Sequence, residues 1–224
     1  MPFLNLPLWE HLALPFFLVS WMGYTFFAKH MATRTHCLSS VLDVHRTWWM
    51  ERMLLRENRI ADAALLTNIE RSVNFSAPPL TADFEFKLFA YTFDHSDSQL
   101  KIVLMLGIMV YAFFAFTWSL RQYGFVSVLI GAAPTVGQDE FSLKQRKEYA
   151  HATAKVLDQA GKSFNYGLRS YYFTLAILAW FVHPLLFLLA TAIVVSVLYL
   201  REFHSEPLKY MAMDVELLQT SDKD

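Results

Sequence analysis

Cysteine, glycine and proline are all scarce in this sequence, and a large net charge is missing as well. The 224 residues include 1 cysteine, 7 glycines and 8 prolines. Cys37 alone cannot form an intrachain disulfide or a cysteine-built metal site, so we interpret it as a small buried apolar residue. Few glycines and prolines favour a mainly helical chain over a loop-rich one. With 19 Lys and Arg against 20 Asp and Glu, no global field favours nucleic acid as a partner.

Sequence motifs for catalysis and for cleavage are also missing. No nucleotide-binding loop, zinc motif or nucleophile elbow is present, so we predict no cofactor and do not favour an enzyme. The N-terminus, Met-Pro-Phe-Leu-Asn-Leu-Pro, lacks the basic region of a cleavable signal peptide. We therefore expect the first apolar run to remain in the protein as a membrane anchor.

Long apolar runs dominate what the sequence does contain. Residues 171–200 include no Asp, Glu, Lys or Arg. A bilayer core roughly 30 Å thick needs only about 20 apolar residues in a helix, so this longer run must tilt, kink or project beyond the core. Pro184 predicts a kink, because it cannot donate a hydrogen bond to the carbonyl of Trp180.

Three other segments are candidates for crossing the membrane. Residues 9–28 and 101–120 are predicted spans, and the apolar pattern of the second continues to Ile130 before Gly131 ends it. Residues 72–98 are aromatic-rich but contain Pro78, Pro79, Asp83, Glu85 and Lys87. Hydropathy argues against a span there, whereas the distribution of charge favours one.

Two further segments predict amphipathic helices that lie on or below the membrane. Residues 38–71 place Trp49, Met53 and Ile60 on one side, and residues 141–160 carry a basic face. We predict an all-α fold of about four transmembrane helices with both amphipathic helices on the cytoplasmic side. The spans and these helices form a single domain, residues 1–210, and residues 211–224 are expected to be a flexible acidic tail.

The basic residues predict the orientation of the chain. Residues 29–71 carry seven Lys and Arg, and residues 121–169 carry seven more. If residues 72–98 cross the membrane, both groups lie on one side, as the positive-inside rule requires. We therefore predict four crossings with both termini outside, in a bacterial inner membrane.

Several blocks of the sequence resemble one family of membrane proteins. The blocks are Arg46–Met50, Arg56–Asp62, Ser72–Phe75, Tyr111–Tyr123, Ile130–Pro134, Arg169–Phe173, Trp180–Phe181 and Arg201–Phe203. Together they are similar to the family catalogued as domain of unknown function 599, and the similarity covers most of the chain. The resemblance implies a helical protein with four spans. It implies no activity, because none is established for the family.

A group of arginines is the strongest candidate for ligand chemistry. Guanidinium groups suit phosphates and carboxylates. The predicted anion or lipid site at the inner interface comprises Arg56, Arg59, Arg121, Arg169, Tyr123 and Tyr171, with Arg46 nearby. An alternative interpretation is ordinary inner-face charge, with Arg59 paired to Asp62.

Histidines and carboxylates are weaker candidates. His95 and Asp97, with His204, form a possible metal cluster with Asp94, Glu202 and Glu206 on the predicted outer side. Short alternating triplets also suit polar loops, so no metal is predicted. His183 lies within the last apolar run, where we expect it to bond to a neighbouring carbonyl rather than to relay protons.

These features favour a non-enzymatic membrane protein. We expect it to self-associate or to be an accessory subunit of a larger complex, with membrane lipids as partners. An oligomer would shield the charges of the second span, and small residues of the last span suit close packing. The alternative is a channel or transporter for a small solute, lined by residues 72–98 and the last helix.

Overall fold

The computed structural model describes residues 8–32, 37–76, 96–135 and 141–221, and none of these lies in a β-strand. This confirms the predicted all-α class. The described helices are α1 (Leu8–Met31), α2 (Leu38–Leu54), α3 (Ile60–Ser76), α4 (Ser96–Gly131), α5 (Leu143–Trp180), α6 (Pro184–Phe203) and α7 (Glu206–Ser221). Most of the uncertain second span, residues 77–95, lies outside the described residues.

The chain packs into two compact units, and the single domain that the sequence predicts stays a prediction. Unit 1 comprises residues 1–35, 78–114 and 166–201, and unit 2 comprises residues 36–77, 115–165 and 202–224. Unit 1 contains most of the apolar runs and unit 2 contains both segments predicted to be amphipathic. Helices α4 and α5 each contribute residues to both units.

Residues 38–71 form two helices, not the single amphipathic helix that their periodicity predicts. Helix α2 ends at Leu54, and the N–H groups of Leu55 and Arg56 bond to the carbonyls of Arg52 and Met53. The side chain of Asn58 then accepts a hydrogen bond from the N–H of Ile60 at 2.9 Å. Such local side-chain bonds compete with the helical ladder, which explains the break. Arg56 therefore lies between two helices and not on a helix face.

The apolar run 171–200 folds back on itself and is not one kinked span. Helix α5 ends at Trp180 and α6 begins at Pro184. Arg201 Nη1 donates to Tyr172 Oη at 2.6 Å. A continuous helix would separate these residues by roughly 43 Å, at about 1.5 Å per residue. The bond therefore requires α6 to return alongside the end of α5, and residues 181–183 make the turn.

The neighbourhood of Pro184 explains why the chain turns there. The N–H groups of Phe181 and Val182 bond three residues back, which tightens the last turn of α5. Pro184 has no N–H to continue the ladder, and proline suits the first position of a new helix. His183 Nδ1 accepts a hydrogen bond from the N–H of Leu185 at 3.1 Å. His183 thus caps the start of α6 with its Nδ1 atom, whereas the sequence predicts a bond from His183 to a carbonyl of a neighbouring helix.

The structure also differs from the sequence prediction at residues 141–160 and in the C-terminal tail. Residues 141–160 are not a separate amphipathic helix, because α5 continues without a break from Leu143 to Trp180. The expected flexible tail is largely helix α7, which begins at Glu206 and ends at Ser221. Val215 and Leu208 of α7 are buried in a cluster with Val41 of α2. Burial of this apolar stripe stabilises a segment whose acidic composition suggests disorder.

Aromatic contacts define the directions of the helices in unit 1. Phe17 packs on Phe187 at 5.2 Å and Phe27 on Tyr199 at 6.3 Å, so α1 and α6 run the same way. Lys101 Nζ lies 3.5 Å from the carbonyl oxygen of Trp180, at the end of the unit that holds residues 181–183. We call this the turn end and the opposite one the open end.

Helix α4 shares the direction of α1 and α6. Lys101 lies at the turn end, and further along the helix Tyr111 packs edge-on against Trp21 at 5.6 Å. Helices α1, α4 and α6 therefore run from the turn end to the open end. The last part of α5, residues 166–180, runs the opposite way.

Three of the described helices are long and apolar enough to cross a membrane: residues 12–31, 99–131 and 184–215 contain the qualifying windows. Between 17% and 22% of each window is buried within the structure. Most of the apolar surface of these helices therefore faces outward, where a soluble protein would not leave it. The chain has the helices of a membrane protein.

Unit 2 has an apolar core of its own. Met50, Met53, Leu66, Val126 and Leu157 are completely or almost completely buried together. These residues come from α2, α3, α4 and α5, so the core joins two of the unit's chain segments, residues 36–77 and 115–165. This packing fixes the positions of the polar side chains described next.

Candidate functional site

The most buried charge of unit 2 is Asp62, in the first turn of α3. Its side chain is 0% exposed, and its Oδ1 accepts hydrogen bonds from Trp49 Nε1 at 2.7 Å and from Arg56 Nη1 at 2.5 Å. Asp62 Oδ2 has no hydrogen-bond partner among the described residues. Sequence spacing suggests Arg59 as the partner of Asp62, but the structure assigns Arg56. A buried carboxylate of this kind needs a paired cation to offset the loss of hydration.

Arg56 is only partly enclosed by this contact. Its side chain remains 48% exposed, and only Nη1 contacts Asp62. An open cleft of about 380 Å³ adjoins it. The lining residues are Trp49, Arg56, Leu65, Asn68, Ile69 and Ser72. Among these described lining residues, Arg56 is the only charged side chain.

Arg59 has a different role from the one its position predicts. It precedes α3, and its two terminal nitrogens donate to the carbonyls of Ala133 and Pro134, each at 2.6 Å. These carbonyls follow the end of α4, where helical partners are missing. Arg59 therefore ties the start of α3 to the end of α4. Both terminal nitrogens face backbone oxygens, which leaves little of the guanidinium edge for an anion.

Tyr149 of α5 also bonds to the last turns of α4. Its hydroxyl donates to the carbonyl of Leu129 at 2.6 Å. Burial raises the pKa of the Tyr149 phenol, and the nearby Arg59 guanidinium lowers it by a smaller amount. The phenol is therefore neutral near neutral pH and remains a donor to the helix end.

A second buried ion pair joins α2 to α5. The sequence places Arg46 near the predicted arginine site but does not identify its partner. Arg46 Nη1 contacts Asp158 Oδ1 at 2.7 Å, and Lys162 Nζ contacts Asp158 Oδ2 at 2.5 Å. A Cβ at Gly161 would lie 2.6 Å from Arg46 Nη2, so a larger residue there would require the guanidinium to shift. Tyr123 is 4% exposed in unit 2, and Arg46 and Asp158 act on it electrostatically. This group is enclosed and internally paired, which suits a structural role.

The other predicted site residues have contacts of their own. Arg121 is exposed in unit 2 and stacks over Phe125 at 5.7 Å. Arg169 belongs to unit 1 and lies over the rings of Tyr24 and Tyr166. Tyr171 is also in unit 1 and is half-buried. Each predicted arginine therefore has described contacts of its own, and a shared site stays a prediction.

The weak metal candidates form no metal-binding group where they are described. Glu202 Oε1 accepts a hydrogen bond from the N–H of Ser39 at 3.4 Å, at the start of α2 in unit 2. His204 follows it in the same unit and is exposed. His95 lies outside the described residues, as does the side chain of Asp97. In the part of the chain that the structure describes, no three His, Cys, Asp or Glu side chains form a metal-binding group.

An all-α fold with three apolar, outward-facing helices defines the class as a helical membrane protein. The chain belongs to the family described as "Protein of unknown function, DUF599", whose model matches residues 12–78 and 84–207. This confirms the resemblance found in the sequence. No curated protein and no solved structure matches the chain.

Proposed function

We propose that this protein is a non-enzymatic integral membrane protein that acts by associating with further copies of itself within the bilayer. The observation that supports the proposal is one face of α4. Val103, Val110 and Phe114 on this face are 67%, 47% and 64% exposed. Gly107 lies between them, and a Cβ added there meets nothing within 4 Å.

The spacing of these residues suits a close contact between helices. Positions 103, 107, 110 and 114 recur every three or four residues, so they share one face. Glycine at the centre of such a face lets two helix backbones approach closely, which is a common basis of association in membranes. A copy of the same helix would supply a matching face and cover the apolar side chains on both.

Replacing Gly107 with leucine tests the proposal. The new side chain occupies the space that a second helix needs. We therefore expect the dissociation constant of the oligomer to rise at least tenfold, equivalent to about 1.4 kcal/mol. The mass of the particle in mild detergent measures this change. Gly23→Leu is the matched control, because Gly23 is also a glycine of an apolar helix with nothing within 4 Å of an added Cβ. A wild-type protein that is monomeric, or equal effects of the two substitutions, would contradict the proposal.

The orientation that we propose follows from the directions of the helices in unit 1. Helices α1, α4 and α6 run from the turn end to the open end and residues 166–180 run back, so the described residues make four passes. Helix α1 begins at the turn end, and α6 ends at the open end.

The basic residues support placing the open end on the cytoplasmic side. Among the described basic residues of unit 1, Lys29, Arg169 and Arg201 lie near the open end, and Lys101 lies at the turn end. Under the positive-inside rule the N-terminus is outside and the C-terminus inside. The C-terminus thus changes side relative to the sequence prediction, because residues 171–200 cross twice.

An anion site in unit 2 remains part of the proposal, and Arg56 is its best-supported member. The alternative of a channel or transporter has less support. The described core of unit 1 is mainly apolar and aromatic, with Phe17, Ile108, Phe173 and Phe187 almost completely buried. The buried hydroxyls of Thr174 and Thr191 donate to carbonyls of their own helices, so they offer little to a polar solute.

A further inference from the structure

We propose that the cleft beside Arg56 binds an amphipathic anion, a phosphate or carboxylate carried on an apolar chain or ring. The inference rests on the proposed function only in assigning an anion site to unit 2, and it does not depend on self-association. Three observations support it. Arg56 is held by Asp62 yet half-exposed, the cleft is lined by apolar and polar side chains, and none of its described lining residues is a carboxylate.

Arg56 is held in one orientation before a ligand arrives. Its Nη1 bonds at 2.5 Å to the buried Asp62, which Trp49 Nε1 also holds at 2.7 Å. The half-exposed guanidinium has further N–H groups, at Nε and Nη2, without an acceptor among the described residues. An arginine fixed on one edge and open on the other binds an anion with little loss of side-chain freedom.

The rest of the cleft suits an apolar body with a polar end. Trp49, Leu65 and Ile69 provide apolar surface, and Leu65 is 53% exposed in the absence of a ligand. Asn68 and Ser72 are polar and lie one turn apart on α3, on the same side as Leu65 and Ile69. An apolar chain against Trp49 and Leu65 would leave its phosphate or carboxylate near Arg56.

Two sources offer this chemistry, a membrane lipid and a soluble organic anion. Both present one phosphate or carboxylate beside an apolar group, so the cleft does not discriminate between them by charge alone. The experiment therefore includes an arm for each source.

Titration calorimetry with hexyl phosphate tests the site on the full-length protein in phosphatidylcholine nanodiscs. We expect hexyl phosphate to bind at least tenfold more tightly than inorganic phosphate and than hexanol, because each lacks one part of the ligand. Arg56→Lys keeps the charge and the contact with Asp62 but removes the planar fork. We expect this substitution to weaken binding about tenfold.

A matched pair of substitutions on α3 separates filling of the cleft from general effects. Ser72 and Thr67 are both exposed, and each hydroxyl donates to the carbonyl four residues earlier. Ser72 lines the cleft and Thr67 does not. We expect Ser72→Phe to abolish binding of hexyl phosphate and Thr67→Phe to leave it unchanged. Thermal unfolding of each variant verifies that it is folded.

Nanodiscs that contain phosphatidylglycerol identify the source. If the ligand is a lipid, phosphatidylglycerol competes with hexyl phosphate and co-purifies with the wild-type protein but not with Ser72→Phe. If the ligand is soluble, hexyl phosphate binds equally in both kinds of nanodisc. The proposal is overturned if hexyl phosphate does not bind, or if folded Arg56→Lys and Ser72→Phe both bind it as the wild type does. A monomeric protein that binds hexyl phosphate would refute self-association alone.

Discussion

Gly161 and Arg46 illustrate how single residues determine the packing of unit 2. Glycine in a helix interior usually costs about 1 kcal/mol relative to alanine. At Gly161 that cost permits the Arg46 guanidinium to pass close to α5 and to reach Asp158, which is 2% exposed. The sequence suggests only that glycines near this position loosen the chain. The reason for the glycine lies in a residue more than 100 positions earlier.

Gly161→Ala is expected to destabilise the protein. The new methyl group would lie 2.6 Å from Arg46 Nη2, so the guanidinium has to shift, which weakens its contact with Asp158. Loss of part of a buried ion pair costs roughly 1–3 kcal/mol, which exceeds the gain in helix propensity. The midpoint of thermal unfolding in detergent should therefore fall.

Gly124→Ala is the matched control for this substitution. Gly124 also belongs to unit 2 and to a helix, but a Cβ added there meets nothing within 4 Å. We expect its unfolding midpoint to stay the same or to rise slightly. Equal midpoints for the two variants would mean that Arg46 moves aside without loss and would refute the argument.

The arginines show how far residue chemistry can be predicted. The sequence identifies Arg56 as unusual, and the structure gives it a buried partner and an adjacent cleft. The sequence does not identify which arginine pairs with Asp62, because Arg56 and Arg59 are both near Asp62 along the chain. The break between α2 and α3 decides the matter, since it places Arg59 before the first turn of α3 and directs it to the carbonyls after α4.

At the scale of whole elements, helix α7 is the largest departure from expectation near the C-terminus. Its composition is acidic and its sequence alone suggests fraying. Val215 and Leu208, 5% and 6% exposed, pack with Val41 on α2. Isolated helices of this length are marginal in water, so tertiary burial and not propensity stabilises α7.

Val215→Asp tests this packing. The substitution removes apolar burial of about 1.5–3 kcal/mol and introduces a charge into an apolar contact. We expect α7 to detach from α2, which would appear as faster amide hydrogen exchange and faster proteolysis of residues 206–221. Met213, on the same helix, is 62% exposed, so Met213→Asp should leave both rates unchanged. Unaltered exchange in Val215→Asp would contradict the docking of α7.

The reversal between α5 and α6 shows why the ends and directions of helices are harder to predict than the apolar content of a segment. An uninterrupted apolar run is compatible with one long tilted helix and with two shorter antiparallel ones. Pro184 ends a helix in either case, but it leaves the direction of the following residues open. Contacts between residues far apart, such as Arg201 with Tyr172, decide that the chain turns back.

At the scale of the whole molecule, the reversal determines the side of the membrane on which the C-terminus lies. A single pass of residues 171–200 places residues 142 and 213 on opposite sides. Two passes place them on the same side. Cysteine labelling at Ser142 and Met213 therefore distinguishes the two arrangements, with Cys37 replaced by alanine.

We expect Ser142→Cys and Met213→Cys to react only with a reagent that enters the cytoplasm. Asn5→Cys, near the N-terminus, is expected to react with an impermeant reagent added from outside. Reaction of Met213→Cys from outside, together with Asn5→Cys, would contradict two passes of residues 171–200 and would favour the four-span arrangement.

The sequence by itself determined that this protein is helical and apolar enough for a membrane, because helix content and hydropathy depend on neighbouring residues. It also determined the family, since the matching blocks are contiguous stretches of residues. Only the tertiary structure decided that residues 171–200 reverse, that Arg56 and not Arg59 pairs with Asp62, and that α7 packs on α2. Each of these outcomes depends on contacts between distant residues, and the local periodicity of a chain does not encode which distant residues meet.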